Sequence, residues 1–167
     1  MHTIRNLQIF LVWGTVVLLL TGCGEKLPPG MPSPVPCEVI VTQEGKPLEG
    51  AVVRLHSLDD SNSAWTAVGR TDTSGKAAIY TLDQYKGAVP GKYKVIVSKT
   101  ETEEPTGPAV SSEEALRRDT SLASFYLVEE KYGMASTTTL EIEAVKGTST
   151  HTVDVGKAVR IKIDERR

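Results

Sequence analysis

Apolar and polar residues alternate with a period of two through much of this chain. The segments 37–42, 51–57 and 92–99 each carry apolar residues at every second position, and the polar positions of the second include Arg54 and His56. Neighbouring side chains of an extended strand point to opposite faces, so this pattern is typical of a strand with one buried face. The three segments are therefore predicted to be β-strands, with Arg54 and His56 on the outward face.

Weaker forms of the same pattern recur between turn sequences rich in glycine, proline and aspartate. These further predicted strands are 64–71, 76–82, 125–130, 138–145, 151–155 and the tail 157–163. The turn 72–75 is expected to reverse the chain before 76–82, and 146–150 to bring 151–155 back against the preceding strand. Short strands at spacings of about ten residues predict an all-β fold, an antiparallel β-sandwich of about seven to eight strands.

One charged segment, 101–124, lacks this alternation. Within it Ser111 and Glu114 have the spacing of a capping box, and Glu113 and Arg117 have the spacing of a helical ion pair. A helix of about eight residues is marginal on its own in water. The segment is predicted to be a surface insertion, and a flap that faces a ligand is the alternative.

The N-terminus has the features of a signal peptide. Arg5 supplies a positive charge, and an apolar run of fourteen residues, 7–20, follows it. As a helix this run would span about 21 Å, which is less than the roughly 30 Å of a bilayer core. Residues 1–22 are therefore predicted to be a cleaved signal peptide. An uncleaved N-terminal membrane anchor is the alternative.

The predicted signal peptide ends in a motif that implies a lipid anchor. Leu20, Thr21 and Gly22 precede Cys23, and this order resembles the bacterial lipobox. The resemblance implies that a signal peptidase recognises the first three residues and cleaves before Cys23. The thiol would then carry diacylglycerol, and the new amine a fatty acid such as palmitate. Two or three acyl chains, at about 0.8 kcal/mol per buried methylene, would anchor the chain stably at a membrane.

Residues 23–36 are predicted to be a lipidated, proline-rich tether ahead of the sandwich domain, 37–167. Five prolines fall within 24–36, and proline favours an extended path. At about 3.1 Å per residue, such a stalk could hold the domain up to roughly 40 Å from the lipid. With Cys23 lipidated, Cys37 has no partner within the chain, so it is expected to be a small buried residue at a strand start.

Composition excludes several classes of protein without naming a function. Lys and Arg total 19 against 21 Asp and Glu, a formal charge of −2. Nucleic-acid binders usually carry a basic excess, so no nucleic acid is expected as a partner. Two cysteines exclude a disulfide-dense scaffold. Three histidines leave little material for histidine-based catalysis.

The familiar sequence signatures of catalysis are missing. The chain has no GxSxG, HExxH or CxxC motif and no glycine-rich phosphate loop. DDSNSA (59–64) begins like a calcium loop, but Ala64 stands where that loop needs glycine and Arg70 where it needs glutamate. His56 and His151 are interpreted as surface or edge histidines, with a metal-binding pair as the alternative. No catalytic residue, metal site or cofactor is predicted, and no ligand-binding residue is assigned.

The aromatic residues provide one candidate binding feature. Tyr93 and Phe125 are predicted to be internal. Four others lie near predicted loops: Trp65, Tyr85, Tyr126 and Tyr132. If several of these rings were exposed and coplanar, they could stack against sugar rings, because Trp and Tyr offer an apolar face with a polar edge.

Three strand–turn–strand segments of the chain resemble a known domain. EGKPLEGAVVRL (44–55), GRTDTSGKAAIYTL (69–82) and GAVPGKYKVIVSK (87–99) are similar to bacterial carboxypeptidase regulatory-like domains. These are transthyretin-like, or prealbumin-like, sandwiches, and small lipoproteins carry versions of them. The similarity covers most of 37–155, while 101–124 and 157–163 depart from it. It implies a fold but almost nothing about activity, because the shared residues lie in turns and at strand edges.

The expected function is a non-enzymatic binding or structural module of the cell envelope, anchored to a membrane by lipid. Its partner would be another envelope protein or a polysaccharide, and an exposed edge strand would be a natural docking surface. Two alternatives stay open, a periplasmic carbohydrate- or small-ligand-binding lipoprotein and a small envelope hydrolase. In a host with two membranes, Gly24 after the acylated cysteine favours the outer membrane, on its periplasmic or surface side.

Overall fold

A computed structural model describes residues 26–103, 123–147 and 150–163. The predicted signal peptide, the lipobox with Cys23, and the middle of the predicted insertion lie outside the described residues. The chain divides into two units, 1–30 and 31–167. Of the first unit, residues 26–30 are described, and they end in a turn. All strands described below belong to the second unit.

Thirteen short strands and two 3-10 turns make up the described part of the second unit. The strands are β1 (Glu38–Gln43), β2 (Lys46–Pro47), β3 (Val52–Ser57), β4 (Ala67–Arg70), β5 (Lys76–Ala78), β6 (Tyr80–Thr81), β7 (Tyr85–Lys86), β8 (Gly91–Ser98), β9 (Thr100–Glu103), β10 (Ala123–Tyr126), β11 (Glu141–Ala144), β12 (Thr150–Asp154) and β13 (Ile161–Lys162). The 3-10 turns are Asp60–Asn62 and Glu130–Tyr132. The prediction of an all-β fold is confirmed.

The strands form three sheets. The large sheet has six antiparallel strands in the order β11-β8-β3-β4-β6-β7. A second sheet has the order β12-β1-β2, with β5 also paired to β1. A small third sheet has the order β13-β10-β9. The inward side chains of the first two sheets form one hydrophobic core, so these sheets are the two layers of a sandwich.

The core is built from the alternating positions of the sequence. Val39 of β1 and Val95 of β8 have no exposed surface, whereas Arg54 and His56 on the outward face of β3 are exposed as predicted. Burying a valine side chain fully contributes about 1.5–3 kcal/mol. The period of two thus decides which face of each central strand packs inward.

Two of the predicted internal residues behave differently from each other. Tyr93 is fully buried, and its hydroxyl donates a hydrogen bond of 2.6 Å to the carbonyl oxygen of Val89. Burial raises the pKa of Tyr93 to about 12, so the hydroxyl stays a neutral donor. Phe125 is only half-buried, because β10 belongs to the small sheet, where the Arg160 guanidinium lies 4.1 Å from the centre of its ring.

The prediction that 151–155 pairs with the preceding strand is wrong. β12 runs parallel to β1 in the second sheet, with Val153 opposite Val41. Both valines are buried there, and the Thr42 hydroxyl donates a 2.7 Å hydrogen bond to Asp154. The chain therefore crosses from one layer to the other between β11 and β12, and it closes the sandwich instead of extending one sheet.

Three predicted segments form shorter elements than their patterns suggested. The segment 76–82 is divided at the fully buried Ile79 into β5 and β6, which lie in different sheets. The segment 125–130 contributes only the end of β10, and the tail 157–163 contributes only β13. The two ends of 101–124 are themselves strands, because β9 and β10 pair with each other.

Residues 31–36 pack on the sandwich, although their prolines suggested a free stalk. Met31 is buried, and Val35 and Ala88 exchange two backbone hydrogen bonds of 2.8 and 3.0 Å. The folded unit therefore begins before Cys37. Cys37 itself is a free cysteine with 3% of its surface exposed, as predicted. Its burial, together with the nearby Glu38 carboxylate, raises the pKa of the thiol to about 11.

Candidate functional site

One half of the outward face of the large sheet collects cations. Arg54 on β3, Arg70 on β4 and Lys86 on β7 are exposed. In the part of the chain that the structure describes, none of the three forms an ion pair. A protein with a net charge of −2 thus presents a locally positive surface here. We call this half, carried by β3, β4, β6 and β7, the basic face.

Strand register places these residues in one row. Arg54 lies opposite Val68, Val68 opposite Tyr80, and Tyr80 opposite Lys86. Directly opposed residues of antiparallel strands share a face, with Cβ atoms about 4.5–5.5 Å apart. The row Arg54–Val68–Tyr80–Lys86 therefore crosses four strands and sets an aromatic ring between cations.

The other half of the same outward face is electrically compensated. Lys94 of β8 forms a 2.7 Å salt bridge with Glu141 of β11, and the hydrogen bond from Lys94 lowers the pKa of Glu141. Lys92 lies opposite Glu143 in the register of the same two strands. The uncompensated positive charge is therefore confined to the basic face.

A shallow depression of about 420 Å³ lies in the basic face. Its floor is apolar, and its edge carries a guanidinium, a phenol and a carboxylate. The floor consists of Val52, Val68, Gly69 and Ala78, and the edge consists of Arg70, Tyr80 and Asp83. Ala78 keeps the depression open, because a longer side chain at that position would fill it. Tyr80 is 38% exposed, so much of its ring is available to a ligand.

The hairpin that carries Asp83 is strained. Leu82 and Asp83 have positive φ angles of 54° and 56°, and the Gln84 amide donates a 3.2 Å hydrogen bond to the Thr81 carbonyl. Two consecutive positive φ angles are the requirement of a type I′ turn, for which Asn-Gly is preferred. An L-residue such as leucine pays about 1–2 kcal/mol in this conformation. The turn sequence therefore costs stability while it holds Asp83 at the edge of the depression.

A second cavity, the apolar cleft, lies beside the small sheet. It has a volume of about 200 Å³. Its lining consists of Val97, Ser98, Lys99, Tyr126, Val128, Glu129, Glu130, Gly133 and Met134. Tyr126 and Met134 are 42% and 44% exposed, and Glu129 is held by a 2.8 Å salt bridge to Lys131. The cleft is suited to a small apolar group.

The four aromatic residues singled out near loops do not form one exposed surface. Tyr85 and Tyr132 are both buried, and Trp65 is half-buried. Only Tyr126 of the four is exposed. The exposed ring beside unpaired cations is Tyr80, which the sequence reasoning did not single out. Its outward position follows from alternation with the buried Ile79 and Thr81, and that signal was available in the sequence.

The two remaining histidines do not form a pair. His56 lies on the outward face of the large sheet, whereas His151 lies in the second sheet opposite Val39. The described residues contain no cluster of side chains that could hold a metal ion. Asp59, at the start of the calcium-like stretch, accepts hydrogen bonds from the amide and hydroxyl of Ser61 within its own turn.

His151 gives the fold a pH dependence. Its Nε2 is buried without a hydrogen-bond partner among the described residues, and burial lowers the pKa of His151. The unfolded chain therefore takes up this proton first, so the free energy of unfolding is complete above about pH 7 and falls as the pH drops below about 6.5. His151→Gln is expected to flatten this dependence in urea unfolding at pH 7.5 and 5.5.

The matched control for that experiment is His56→Gln, which removes an exposed imidazole from β3. This variant should keep the dependence of the parent chain. The isolated carboxyl groups titrate at about pH 4, below most of the chosen range. Equal slopes for the parent chain and His151→Gln would contradict the assignment.

The comparisons complete the description of the site. No helix within 26–103, 123–147 and 150–163 is long and apolar enough to cross a membrane. Comparison with known proteins finds no family model that matches the chain, and no matching curated protein or solved structure. The resemblance to carboxypeptidase regulatory-like domains and to lipoproteins therefore stays a prediction from the sequence.

Proposed function

We propose that this protein is a lipid-anchored, non-enzymatic binding module of the bacterial cell envelope, and that it binds its partner through the basic face. The observation that carries the proposal is the row of unpaired cations around the exposed ring of Tyr80. The predicted signal peptide 1–22 and the lipobox ending at Cys23 support the location. The sandwich would then be a rigid support that holds this face outside the cytoplasm.

The composition of the basic face favours binding over a purely structural role. Arg54, Arg70 and Lys86 bring three like charges onto one surface, an arrangement that is unfavourable until an anionic partner neutralises it. Arginine and tyrosine are enriched at interface hot spots. Complementary charge also speeds the encounter of two partners. An anionic component of the envelope is therefore the partner that this surface fits best.

The shape of the face favours an extended partner. Strands of a sheet lie about 4.8 Å apart, so a row across four strands is about 14 Å long. The row contains both charged and apolar positions, and the depression interrupts it at Tyr80. A chain-like molecule that crosses the strands could contact Arg54, Tyr80 and Lys86 in turn.

A sedimentation assay tests the proposed function. The full-length protein, solubilised in non-ionic detergent, is mixed with the delipidated envelope fraction of its native host and centrifuged. The variant Arg54→Gln/Arg70→Gln/Lys86→Gln is expected to sediment at least about tenfold less, because each lost charged contact weakens binding substantially. Binding of the parent protein is expected to weaken as salt rises.

The matched control removes three exposed lysines outside the basic face, in Lys46→Gln/Lys157→Gln/Lys162→Gln. Both triple variants change the net charge equally. If the control variant lost binding to the same degree, the effect would follow overall charge and the proposal would fail. Unchanged sedimentation of the basic-face variant would contradict the proposal directly.

Binding of a small apolar ligand is the second candidate function, and the apolar cleft favours it. Buried Val97 and Val128 lie in the cleft, and the exposed Tyr126 and Met134 line it as well. Apolar lining with a few polar groups is the usual composition of small-molecule sites. The volume of about 200 Å³ is below that of typical drug-sized sites. The cleft would become the better candidate if the basic face proved not to bind.

A further inference from the structure

We infer that the anionic partner of the basic face is an acidic polysaccharide, and that one of its hexuronic acid units occupies the depression beside Tyr80. The inference rests on the proposed function and specifies its ligand. Three different groups at the edge of the depression carry the argument: a ring, a guanidinium and a carboxylate. Each of them matches one chemical feature of a sugar acid.

The ring and the floor match the apolar face of a sugar. Tyr80 is the exposed aromatic residue of this face, and Val52, Val68 and Ala78 of the floor are half-buried. A pyranose ring presents C–H groups on one side, and a tyrosine ring offers them an apolar surface with a hydroxyl at its edge. The depression of about 420 Å³ lies within the range of small-molecule sites, about 300–1,000 Å³.

Arg70 matches the carboxylate of the sugar acid. It lies opposite Val52 in the sheet and lines the same depression as Tyr80. A guanidinium forms two parallel hydrogen bonds to a carboxylate, a geometry that an ammonium cannot reproduce. Arg70 has no ion pair with any carboxylate that the structure describes. Its fork is therefore available to an external acid.

Asp83 discriminates between sugar acids and other polyanions. Its carboxylate stands at the edge of a positive surface, where it would repel a ligand that offers only negative charge. A carboxylate accepts hydrogen bonds strongly, and sugar hydroxyls are donors. An acidic protein segment or an anionic bilayer gains less from Asp83 than a hydroxyl-rich polymer does. The remaining cations of the row, Arg54 and Lys86, would meet neighbouring acidic units of that polymer.

The test uses an oligomer of galacturonic acid and the full-length protein in non-ionic detergent, with binding measured by calorimetry. The matched ligand is the same oligomer with its carboxylates reduced to alcohols. Tyr80→Ser and Arg70→Gln are each expected to weaken binding of the acidic oligomer at least about tenfold. Arg70→Lys keeps the charge and should still bind more weakly than the parent protein. The reduced oligomer is expected to bind at least about tenfold more weakly than the acidic one.

Matched variants separate local contacts from general effects. Tyr126→Ser removes a similarly exposed ring from β10, and Lys46→Gln removes an exposed cation from β2; both should bind like the parent protein. Asp83→Gly tolerates the positive φ angle of 56°. It should weaken binding if Asp83 accepts a sugar hydroxyl, and strengthen it if only charge matters. Thermal melting of every variant confirms that it is folded.

Three results would overturn the inference. These are binding of polyglutamate as tight as that of the acidic oligomer, stronger binding to vesicles of phosphatidylglycerol and phosphatidylcholine, and stronger binding by Asp83→Gly. The envelope sedimentation assay keeps this failure distinct from failure of the proposed function. If the basic-face variant loses envelope binding while galacturonate does not bind, the inference is wrong and the proposed function stands. If neither binds, both are wrong.

Discussion

Cys23→Ser is expected to abolish lipid modification and to leave the signal peptide attached. Serine has the size of cysteine, but its hydroxyl is a far weaker nucleophile than a thiol and forms no thioether. The parent protein should take up labelled fatty acid and lack residues 1–22 by intact mass. The variant should take up no label and should begin at Met1. The difference is all-or-none, because two or three acyl chains supply the whole anchor.

The control for this experiment is Cys37→Ser, since the chain contains just these two cysteines. Cys37 is buried in the sandwich, so its replacement should leave labelling and cleavage unchanged. Label retained on the Cys23→Ser variant would refute the lipid anchor. So would a parent protein that still carried Met1 and no lipid.

Gly87→Ala is expected to destabilise the sandwich by about 3 kcal/mol or more, from backbone strain together with steric overlap. Gly87 has a φ angle of 107°, and an added Cβ would lie 2.1 Å from the carbonyl oxygen of Val35. That neighbour is backbone, and it is fixed by the hydrogen bonds between Val35 and Ala88. The alanine therefore cannot be accommodated without separating the two segments. The measurement is the free energy of unfolding in urea.

Gly147→Ala separates the two contributions. Gly147 has a similar φ angle of 97°, but an added Cβ would meet no atom within 4 Å. This variant should lose only the cost of the positive φ angle, about 1–2 kcal/mol. Equal losses for the two variants would show that the close approach of Val35 to Gly87 contributes nothing.

Local patterns predicted the strands of the core but not how all of them pair. The burial of Val39, Val53 and Val95 follows from alternation alone. The parallel pairing of β12 with β1 does not, because it joins segments more than a hundred residues apart. A local turn signal at 146–150 favours a hairpin, whereas burial of Val153 favours the other sheet.

The candidate site was less predictable than the fold. Its basic residues are dispersed along the sequence, and only the register of β3, β4, β6 and β7 brings Arg54 and Lys86 into a row with Tyr80. The depression further depends on the break of 76–82 at Ile79, which alternation does not signal. Composition likewise suggested a free stalk through Pro36. Val35, set between two prolines, keeps the amide that pairs with Ala88.

The pairing of Val35 with Ala88 determines where mechanical load from a lipid anchor would enter the domain. A pull along the chain would reach these two hydrogen bonds, beside the edge strand β7, before it reached β1. Their rupture would release residues 31–36 and lengthen the leash by about 20 Å, at about 3.3 Å per residue. The sandwich would then yield first at its margin, while the strands of its core stayed paired.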